Sequence, residues 1–354
     1  MIRQGVSILL FGVALGTLSS GVATGFQASP SASSHPPVDI PFAGLKADAV
    51  IAAPFGPGAV ASTEAVWVPG RTAGTIVRIE AKDNTIGAPI AVGAQPCASL
   101  VDAFDSLWVP LCGDGVIARV DVKTLKSTAT LKTRVAVGDG RIATGVGSIW
   151  AITDRKGVLS RIDPDTNASV AEIYVAGGAA SVVFADEVLW ITSEEAVSTS
   201  LKAGSSTSIK ADSSTLIKGG SLTRVNPHNN EVVEVVEVGP KPGALAVGEG
   251  GVWTLNRGNG TVTRVDPATN KVVATIALGG TVADGEIAAG LGSVWISASG
   301  APIIRIDPRT NRAVQRFTGE GGGAILVAHG SLWVAAGPQV TWRLDPLLVS
   351  SMRP

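Results

Sequence analysis

Four charged residues in two short segments are the best candidates for chemistry in this sequence. Arg141 follows Asp139 by two positions, and Glu286 follows Asp284 at the same spacing. The guanidinium group could hold a carboxylate or phosphate through charge-assisted hydrogen bonds, and the three carboxylates could hold a hard cation. The alternative interpretation is that all four are solvated surface charges without a ligand.

The two cysteines, Cys97 and Cys112, stand before and after a predicted hairpin. If the turn is centred between Phe104 and Asp105, the two cysteines fall directly opposite each other on adjacent strands. That places them within the Cα separation that a disulfide requires, and an oxidising compartment would allow the bond to persist. The sequence therefore predicts a Cys97–Cys112 disulfide in preference to a metal or redox role.

Groups suited to acid–base catalysis are scarce. Of the three histidines, His35 precedes the organised part of the chain, and His228 and His329 fall in predicted turns on the side opposite Arg141 and Glu286. A Ser-His-Asp set or a histidine-containing metal site cannot be assembled around those charges. The sequence predicts no catalytic residue, no metal site and no cofactor.

A motif resembling Gly-Ser-Val-Trp recurs seven times and organises the chain. An Arg follows each Trp after 10 or 11 residues, except in the fourth unit, where the step is 34 residues. A large aromatic residue at one fixed strand position is typical of packing between neighbouring sheets. The repeated Arg is typical of a structural pair or a turn cap. The seven tryptophans are Trp67, Trp108, Trp150, Trp190, Trp253, Trp295 and Trp333.

Each unit has the pattern of four short strands separated by turn residues. Several units end their third strand with Asp-Pro-x-Thr-Asn, as at Asp163 and Asp266. There the Asp carboxylate can accept hydrogen bonds from the backbone two and three residues further on. Seven four-stranded units predict an all-β fold, a seven-bladed β-propeller of four-stranded antiparallel blades.

Chain order predicts which residues share a mouth of the ring. Connections between units and loops between second and third strands lie at one mouth, where ligands are expected. Five of the seven innermost strands begin with a small uncharged residue, and Arg141 and Glu286 are the exceptions. Such departures from an internal template are where function is expected. The predicted ligand-binding residues at this mouth are Arg71, Asp139, Arg141, Arg155, Arg257, Asp284 and Glu286.

The ends of the repeat array predict how the ring closes. The last unit stops after its third strand, and residues 48–53 match the missing fourth strand by position. An N-terminal strand that completes the last blade would remove an exposed sheet edge. Trp342 stands where other units have mostly small or aliphatic residues, which indicates packing at this seam.

The segments outside the repeats predict export. Residues 1–25 have the layout of a signal peptide, with Arg3 before an uncharged, mostly apolar run at 6–18 and small residues after it. We expect a polar leader at 26–46, the propeller at 47–347 and a tail at 348–354. An insertion at about 193–215 in the fourth unit begins a Ser/Thr/Lys-rich stretch, interpreted either as a lid or partner contact or as a tolerated surface expansion. The predicted location is periplasmic or secreted, without a membrane span.

Composition argues against nucleic acid as a partner. The chain has 28 Lys and Arg against 29 Asp and Glu, and a net charge of −1. With so nearly equal numbers of positive and negative charges, the protein has no net positive electrostatic field that would attract a phosphate polymer. Few aromatic residues remain outside the repeated Trp positions, so a platform for stacking bases is not evident. The expected partner is an unknown small molecule or an exported protein.

The repeats also resemble a known family. The stretch Gly-Thr-Val-Thr-Arg-Val-Asp-Pro-Ala-Thr-Asn-Lys-Val-Val-Ala-Thr-Ile at 260–276, with its leading Gly-Ser-Val-Trp-like motif, resembles the YVTN/YncE-like exported bacterial β-propellers. The wider group also resembles the virginiamycin B lyases, and the resemblance covers about residues 47–347. The lyase resemblance implies a His and a Glu at the ligand mouth, where this sequence offers only Glu286.

Together these features predict an exported, non-catalytic propeller that binds a ligand or protein partner at one mouth. The alternative is a lyase-like or metal-assisted enzyme that uses Asp139, Arg141, Asp284 and Glu286, with the carboxylates holding a hard cation.

Overall fold

The computed structural model describes residues 36–70, 74–136, 141–195 and 219–353. The predicted signal peptide, residues 26–35 of the polar leader and most of the fourth-unit insertion lie outside these ranges, as do Arg71 and Asp139. Within the described ranges, no helix is both long enough and apolar enough to cross a membrane.

Seven β-sheets form the described chain, as the repeats predict. The chain starts with β1 (Val38–Pro41), a 3₁₀ turn (Phe42–Gly44) and β2 (Ala49–Ile51). Blade 1 contains β3 (Val60–Ala61), β4 (Ala65–Gly70), β5 (Thr75–Glu80) and β6 (Ile90–Ala91). Blade 2 contains β7 (Val101–Ala103), β8 (Ser106–Leu111), β9 (Val116–Asp121) and β10 (Ser127–Leu131). Blade 3 contains β11 (Ile142–Gly145), β12 (Ser148–Asp154), β13 (Val158–Asp163) and β14 (Ala168–Tyr174).

The second half of the ring repeats this arrangement. Blade 4 contains β15 (Ala179–Ala185), β16 (Val188–Ser193), β17 (Gly220–Asn226) and β18 (Glu231–Val238). Blade 5 contains β19 (Pro242–Gly248), β20 (Gly251–Asn256), β21 (Thr261–Asp266) and β22 (Lys271–Ala277). Blade 6 contains β23 (Glu286–Gly290), β24 (Ser293–Ala298), β25 (Ala301–Asp307) and β26 (Arg312–Thr318). Blade 7 contains β27 (Ile325–Ala328), β28 (Ser331–Gly337) and β29 (Val340–Leu344), and α1 (Pro346–Ser351) follows it.

Burial within a blade depends on the position of the strand. Neighbouring first strands pack side by side around the axis, and second strands such as β24 are buried at every residue. Both faces of these strands are covered by adjacent blades, which explains their continuous apolar sequences. Outer strands such as β18 have most of their residues exposed or only partly buried.

The ring closes through the N-terminal strands. β2 pairs antiparallel with β29 and supplies the fourth strand of blade 7, which confirms the predicted closure. β1 pairs in parallel with β26 and adds a fifth strand to blade 6. Residues 38–45, expected in a polar leader, therefore join the propeller, because Ile40, Phe42 and Leu45 are buried apolar side chains. Phe42 stacks on Trp342 with ring centroids 4.6 Å apart.

The repeated Trp and Arg residues are structural, as predicted. All seven repeat tryptophans are at most 1% exposed. In the fifth unit the Arg264 guanidinium lies 4.9 Å from the centroid of the Trp253 ring. Its Nη1 donates to Pro308 O and Asn311 Oδ1 in the turn of the next blade, both at 2.7 Å. Arg343 makes the same two contacts from blade 7 to blade 1, with Ala81 O and Asn84 Oδ1.

The Asp-Pro turns are held as the sequence predicts. Asp163 Oδ1 accepts hydrogen bonds from the backbone N–H of Asp165 at 2.8 Å and of Thr166 at 2.9 Å. These bonds hold the pKa of Asp163 below its ordinary value, and the bond from the Thr166 N–H has the largest effect. Asn167 ends the turn with a φ of 56°, a left-handed conformation that Asn tolerates well.

The Cys97–Cys112 disulfide is present, with a Cα–Cα distance of 5.1 Å. The hairpin pairs in the predicted register beside its two-residue turn. Closer to the mouth the pairing shifts, so that Pro96 lies opposite Leu111. The cysteines are therefore diagonal neighbours rather than direct partners, because an irregularity between Pro96 and β7 changes the register that a simple hairpin would keep.

Candidate functional site

The upper mouth is defined here as the rim formed by the connections between blades and by the loops between second and third strands. Arg141 directly precedes β11 in blade 3, and Glu286 opens β23 in blade 6. The two side chains meet across the ring: Arg141 Nη1 donates to Glu286 Oε2 at 3.3 Å, and Nη2 donates to Oε1. The side chains are only 10% and 12% exposed. The structure therefore shows a buried bidentate ion pair at these two positions, not solvated surface charges.

Small residues elsewhere in the inner ring leave room for this pair. Gly58 begins the first unit with a φ of 83°, and a Cβ there would lie 2.2 Å from the Ala98 carbonyl carbon. Ser99 Oγ accepts a hydrogen bond from the Ile142 N–H at 3.1 Å and joins the first strands of blades 2 and 3. The first strands of neighbouring blades approach closely around the axis. The long side chains of Arg141 and Glu286 reach across the axis and contact each other.

Asp284 and Arg155 make separate contacts on the rim. Asp284 accepts hydrogen bonds from the Ser299 N–H at 3.1 Å and from its hydroxyl at 2.5 Å. Arg155 forms an exposed ion pair with Glu194, with an N–O distance of 3.6 Å. The structure thus brings Arg141 and Glu286 into direct contact and gives these other predicted site residues different partners.

Arg257 folds inward over the start of blade 5. Its backbone N–H donates to Lys241 O at 3.0 Å. The guanidinium group covers Gly243, where a Cβ would lie 2.4 Å from the Arg257 Nε. That Nε is buried and has no hydrogen-bond partner among the described residues. Arg257 is therefore a half-buried cation of the upper mouth, and no ion pair neutralises it within the described part of the chain.

The described histidines lie at the opposite mouth of the ring, called the lower mouth. His228 Nε2 is 3.1 Å from Glu187 Oε2, and both side chains are exposed. His329 occupies a hairpin turn with a φ of 50°. Across the described ranges, no group of three His, Cys, Asp or Glu residues is arranged to hold a metal ion.

A cavity between blades 2 and 3 was not predicted. It has a volume of about 580 Å³ and opens at the upper mouth. Its lining comprises Cys112–Gly115 from the loop of blade 2, Arg134–Ala136 from the connection between the blades, and Thr153–Arg155 from the loop of blade 3. Arg155 is among the residues predicted from the sequence, but Arg134 is not, because the connection that carries it has no repeated template against which an unusual residue would stand out.

Comparisons with solved structures show the same fold in known lyases. A structure described as a streptogramin B lyase is 17% identical, with a TM-score of 0.61, and covers 82% of this chain and 93% of its own. A selenomethionine-substituted virginiamycin B lyase from Staphylococcus aureus is 14% identical, with a TM-score of 0.59. The match covers 82% of this chain and 94% of the lyase chain. A third structure contains a catalytically inactive histidine-to-alanine variant of the Staphylococcus aureus enzyme with quinupristin. It is 17% identical, with a TM-score of 0.63, and the match covers 82% of this chain and 94% of the variant's chain.

At these identities the similarity establishes the β-propeller fold and nothing finer. No protein-family model matches the chain, and no curated protein matches its sequence. Membership of the YVTN/YncE-like family therefore stays a prediction.

Proposed function

We propose that this protein is an exported, non-catalytic β-propeller that binds a ligand or protein partner at its upper mouth. The observation that carries the proposal is the state of the innermost charges. Glu286 accepts two hydrogen bonds from Arg141, and Asp284 holds Ser299. A general acid or base must reach the proton that it transfers, and these carboxylates are already engaged within the protein.

Binding, by contrast, needs only accessible and well-positioned groups on a rigid scaffold. The half-buried Arg257 and the exposed Arg155 supply guanidinium groups at the rim. Guanidinium groups bind carboxylates and phosphates in bidentate geometry. The blades beneath them are fixed by the repeated Trp and Arg contacts, so the rim is supported from below. A ligand with at least one anionic group fits this surface best.

Export is the second part of the proposal. Disulfides persist in oxidising compartments and are rare where thiols are kept reduced. The Cys97–Cys112 bond therefore supports a periplasmic or secreted location, as does the N-terminal pattern of the sequence.

A lyase-like enzyme is the second candidate, favoured by the fold shared with the streptogramin B lyases. In one of those proteins, replacement of a histidine by alanine accompanies loss of catalysis. In this chain the described histidines, His228 and His329, are both at the lower mouth. That placement supports binding over catalysis.

The two candidates are separated by a turnover assay. Purified protein is incubated with quinupristin, with and without Mg²⁺, and the compound is followed by liquid chromatography. We expect no loss of quinupristin. Protein-dependent loss that disappears in a Glu286→Gln variant would replace the binding proposal with the lyase candidate.

Binding at the upper mouth is tested by retention of small molecules and proteins from a culture filtrate, measured by mass spectrometry. Immobilised wild-type protein is compared with Arg257→Glu at the upper mouth and with Arg309→Glu at the lower mouth, where the side chain is 90% exposed. We expect retained species that are lost with Arg257→Glu and kept with Arg309→Glu. Equal retention by all three proteins would contradict an upper-mouth site.

A further inference from the structure

The cavity between blades 2 and 3, called the inter-blade cavity, is the strongest site that the upper mouth offers beyond its axis. Its volume of about 580 Å³ lies within the range of small-molecule sites, roughly 300–1,000 Å³. Its lining comes from three separate segments, so an occupant would contact two blades and the connection between them.

The walls of the inter-blade cavity are held in place before any ligand arrives. On one side the disulfide joins the blade 2 loop to the chain that enters that blade. The same junction carries hydrogen bonds from the Cys112 N–H to Gln95 O at 2.8 Å and from the Gly113 N–H to Ala94 O at 3.2 Å. On the other side, the Ala136 N–H donates to Ile152 O at 3.0 Å. A preorganised site loses less entropy when it binds.

The charges that line the cavity differ in what they already contact. Asp114 Oδ2 accepts a hydrogen bond from the Ala94 N–H at 2.8 Å, and Asp154 Oδ1 accepts one from the Lys156 N–H at 2.8 Å. Both carboxylates therefore have a role in holding the local backbone.

The two cations of the lining are less engaged. Arg134 is exposed and makes no ion pair or hydrogen bond to the described parts of the chain. Arg155 has one long ion pair in a solvent-exposed setting, and such pairs contribute little. The groups available to an occupant are thus two guanidinium groups from two different segments of the lining.

We infer that the inter-blade cavity binds a small molecule bearing a carboxylate or phosphate, and that Arg134 and Arg155 are its ligating residues. This inference rests on the proposed function, because it identifies the ligand class and a specific subsite of the same mouth. Guanidinium donors in a planar fork match the oxygens of both anions, and a volume of about 580 Å³ fits a small molecule.

The test is isothermal titration calorimetry at low ionic strength, with citrate and inorganic phosphate as anionic probes and choline as a cationic probe. Wild-type protein is expected to bind at least one anion and not choline. Arg134→Gln and Arg155→Gln are each expected to weaken anion binding about tenfold, the usual effect of losing a charged hydrogen-bond donor. The double variant should show no measurable binding.

Two further variants sharpen the result. Asp154→Asn keeps a carbonyl acceptor for the Lys156 N–H but removes a negative charge from the cavity, so anion affinity should rise severalfold. Arg309→Gln removes an exposed guanidinium group from the lower mouth and should leave the affinity unchanged. Circular dichroism and thermal midpoints confirm that each variant is folded before titration.

The outcomes separate this inference from the proposed function. Anion binding that survives Arg134→Gln and Arg155→Gln but is lost with Arg257→Glu would overturn the cavity and keep the upper-mouth function. Binding of choline, or no binding of either anion, would overturn the inference, while retention from the culture filtrate would still decide the function. Anion affinity that falls only in Arg134→Gln and Arg155→Gln would support both the cavity inference and the proposed function.

Discussion

Replacing Arg141 with methionine tests whether the charge pair across the ring joins opposite blades. The change leaves the Glu286 carboxylate buried beside a side chain that cannot pair with it. The two side chains are 10% and 12% exposed in the intact pair, so water replaces the lost partner poorly. Removing one member of a buried ion pair costs about 3–5 kcal/mol, and we expect the free energy of unfolding to fall by that amount.

The double variant Arg141→Met with Glu286→Leu separates the attraction between the two charges from the free energy that their burial costs. Taking two charges out of water costs about as much free energy as their attraction returns, so a pair of apolar side chains often leaves stability unchanged. We therefore expect the double variant to be much more stable than Arg141→Met alone. A double-mutant cycle should give a coupling of about 3 kcal/mol or more.

The assay is urea unfolding followed by circular dichroism and by fluorescence of the buried tryptophans. Arg155→Met is the matched control, because its ion pair with Glu194 is exposed and should contribute less than about 1 kcal/mol. A urea midpoint lowered no more by Arg141→Met than by Arg155→Met would contradict a stabilising link between blades 3 and 6. Single changes that add without coupling in the double variant would contradict it as well.

Three other predictions follow from the acids and cysteines of the fold. Burial raises the pKa of Asp102 above its ordinary value, so the native protein loses stability as pH rises from the ordinary Asp pKa of about 4 through this raised pKa. Asp102→Asn should raise the thermal midpoint at pH 7 and flatten its pH dependence, and a lower midpoint would contradict this. The hydrogen bond from Arg316 lowers the pKa of Asp39, so this contact stabilises β1 above the ordinary Asp pKa and is lost as pH falls below it. Asp39→Asn should speed hydrogen exchange in β1 relative to wild type at pH 7, and this ratio should shrink as pH falls below the ordinary Asp pKa of about 4; a ratio that does not change with pH would count against the contact. Reduction of the Cys97–Cys112 bond should lower the free energy of unfolding by about 3 kcal/mol, measured by urea titration with and without dithiothreitol, and an unchanged midpoint would refute this.

The fold was predictable because every blade has a similar sequence pattern. Trp253 and Arg264 occupy fixed strand positions in a four-strand unit, and each of the six other units also has a Trp followed by an Arg, with a 34-residue step in the fourth unit. Closure by β2 was predictable for the same reason, since the last unit lacks one strand. The fifth strand, β1, was not predicted because it pairs in parallel with β26 and has no counterpart in the template.

The candidate site was predictable only in part. Comparison within the repeats identified Arg141 and Glu286, because all the other units have a small residue at that position. Their direct contact could not be read from the sequence, since it depends on the width of the axis and on two rotamers. Arg134 was missed because the connections between blades vary in length, and a repeat comparison assigns them no expected residue.

The repeated arginines, Arg141 at the axis and two arginines of the rim differ in what they contact. The repeated arginines, such as Arg264, are held by a Trp ring and by the turn of the next blade, which leaves them no freedom to bind a ligand. Arg141 is held by Glu286 at the axis. Arg134 and Arg257 belong to neither group, because no acid within the described ranges pairs with them. Recognition by this propeller is therefore expected at the rim between blades, where cations remain available, and not along the axis, where the ion pair already satisfies both charges.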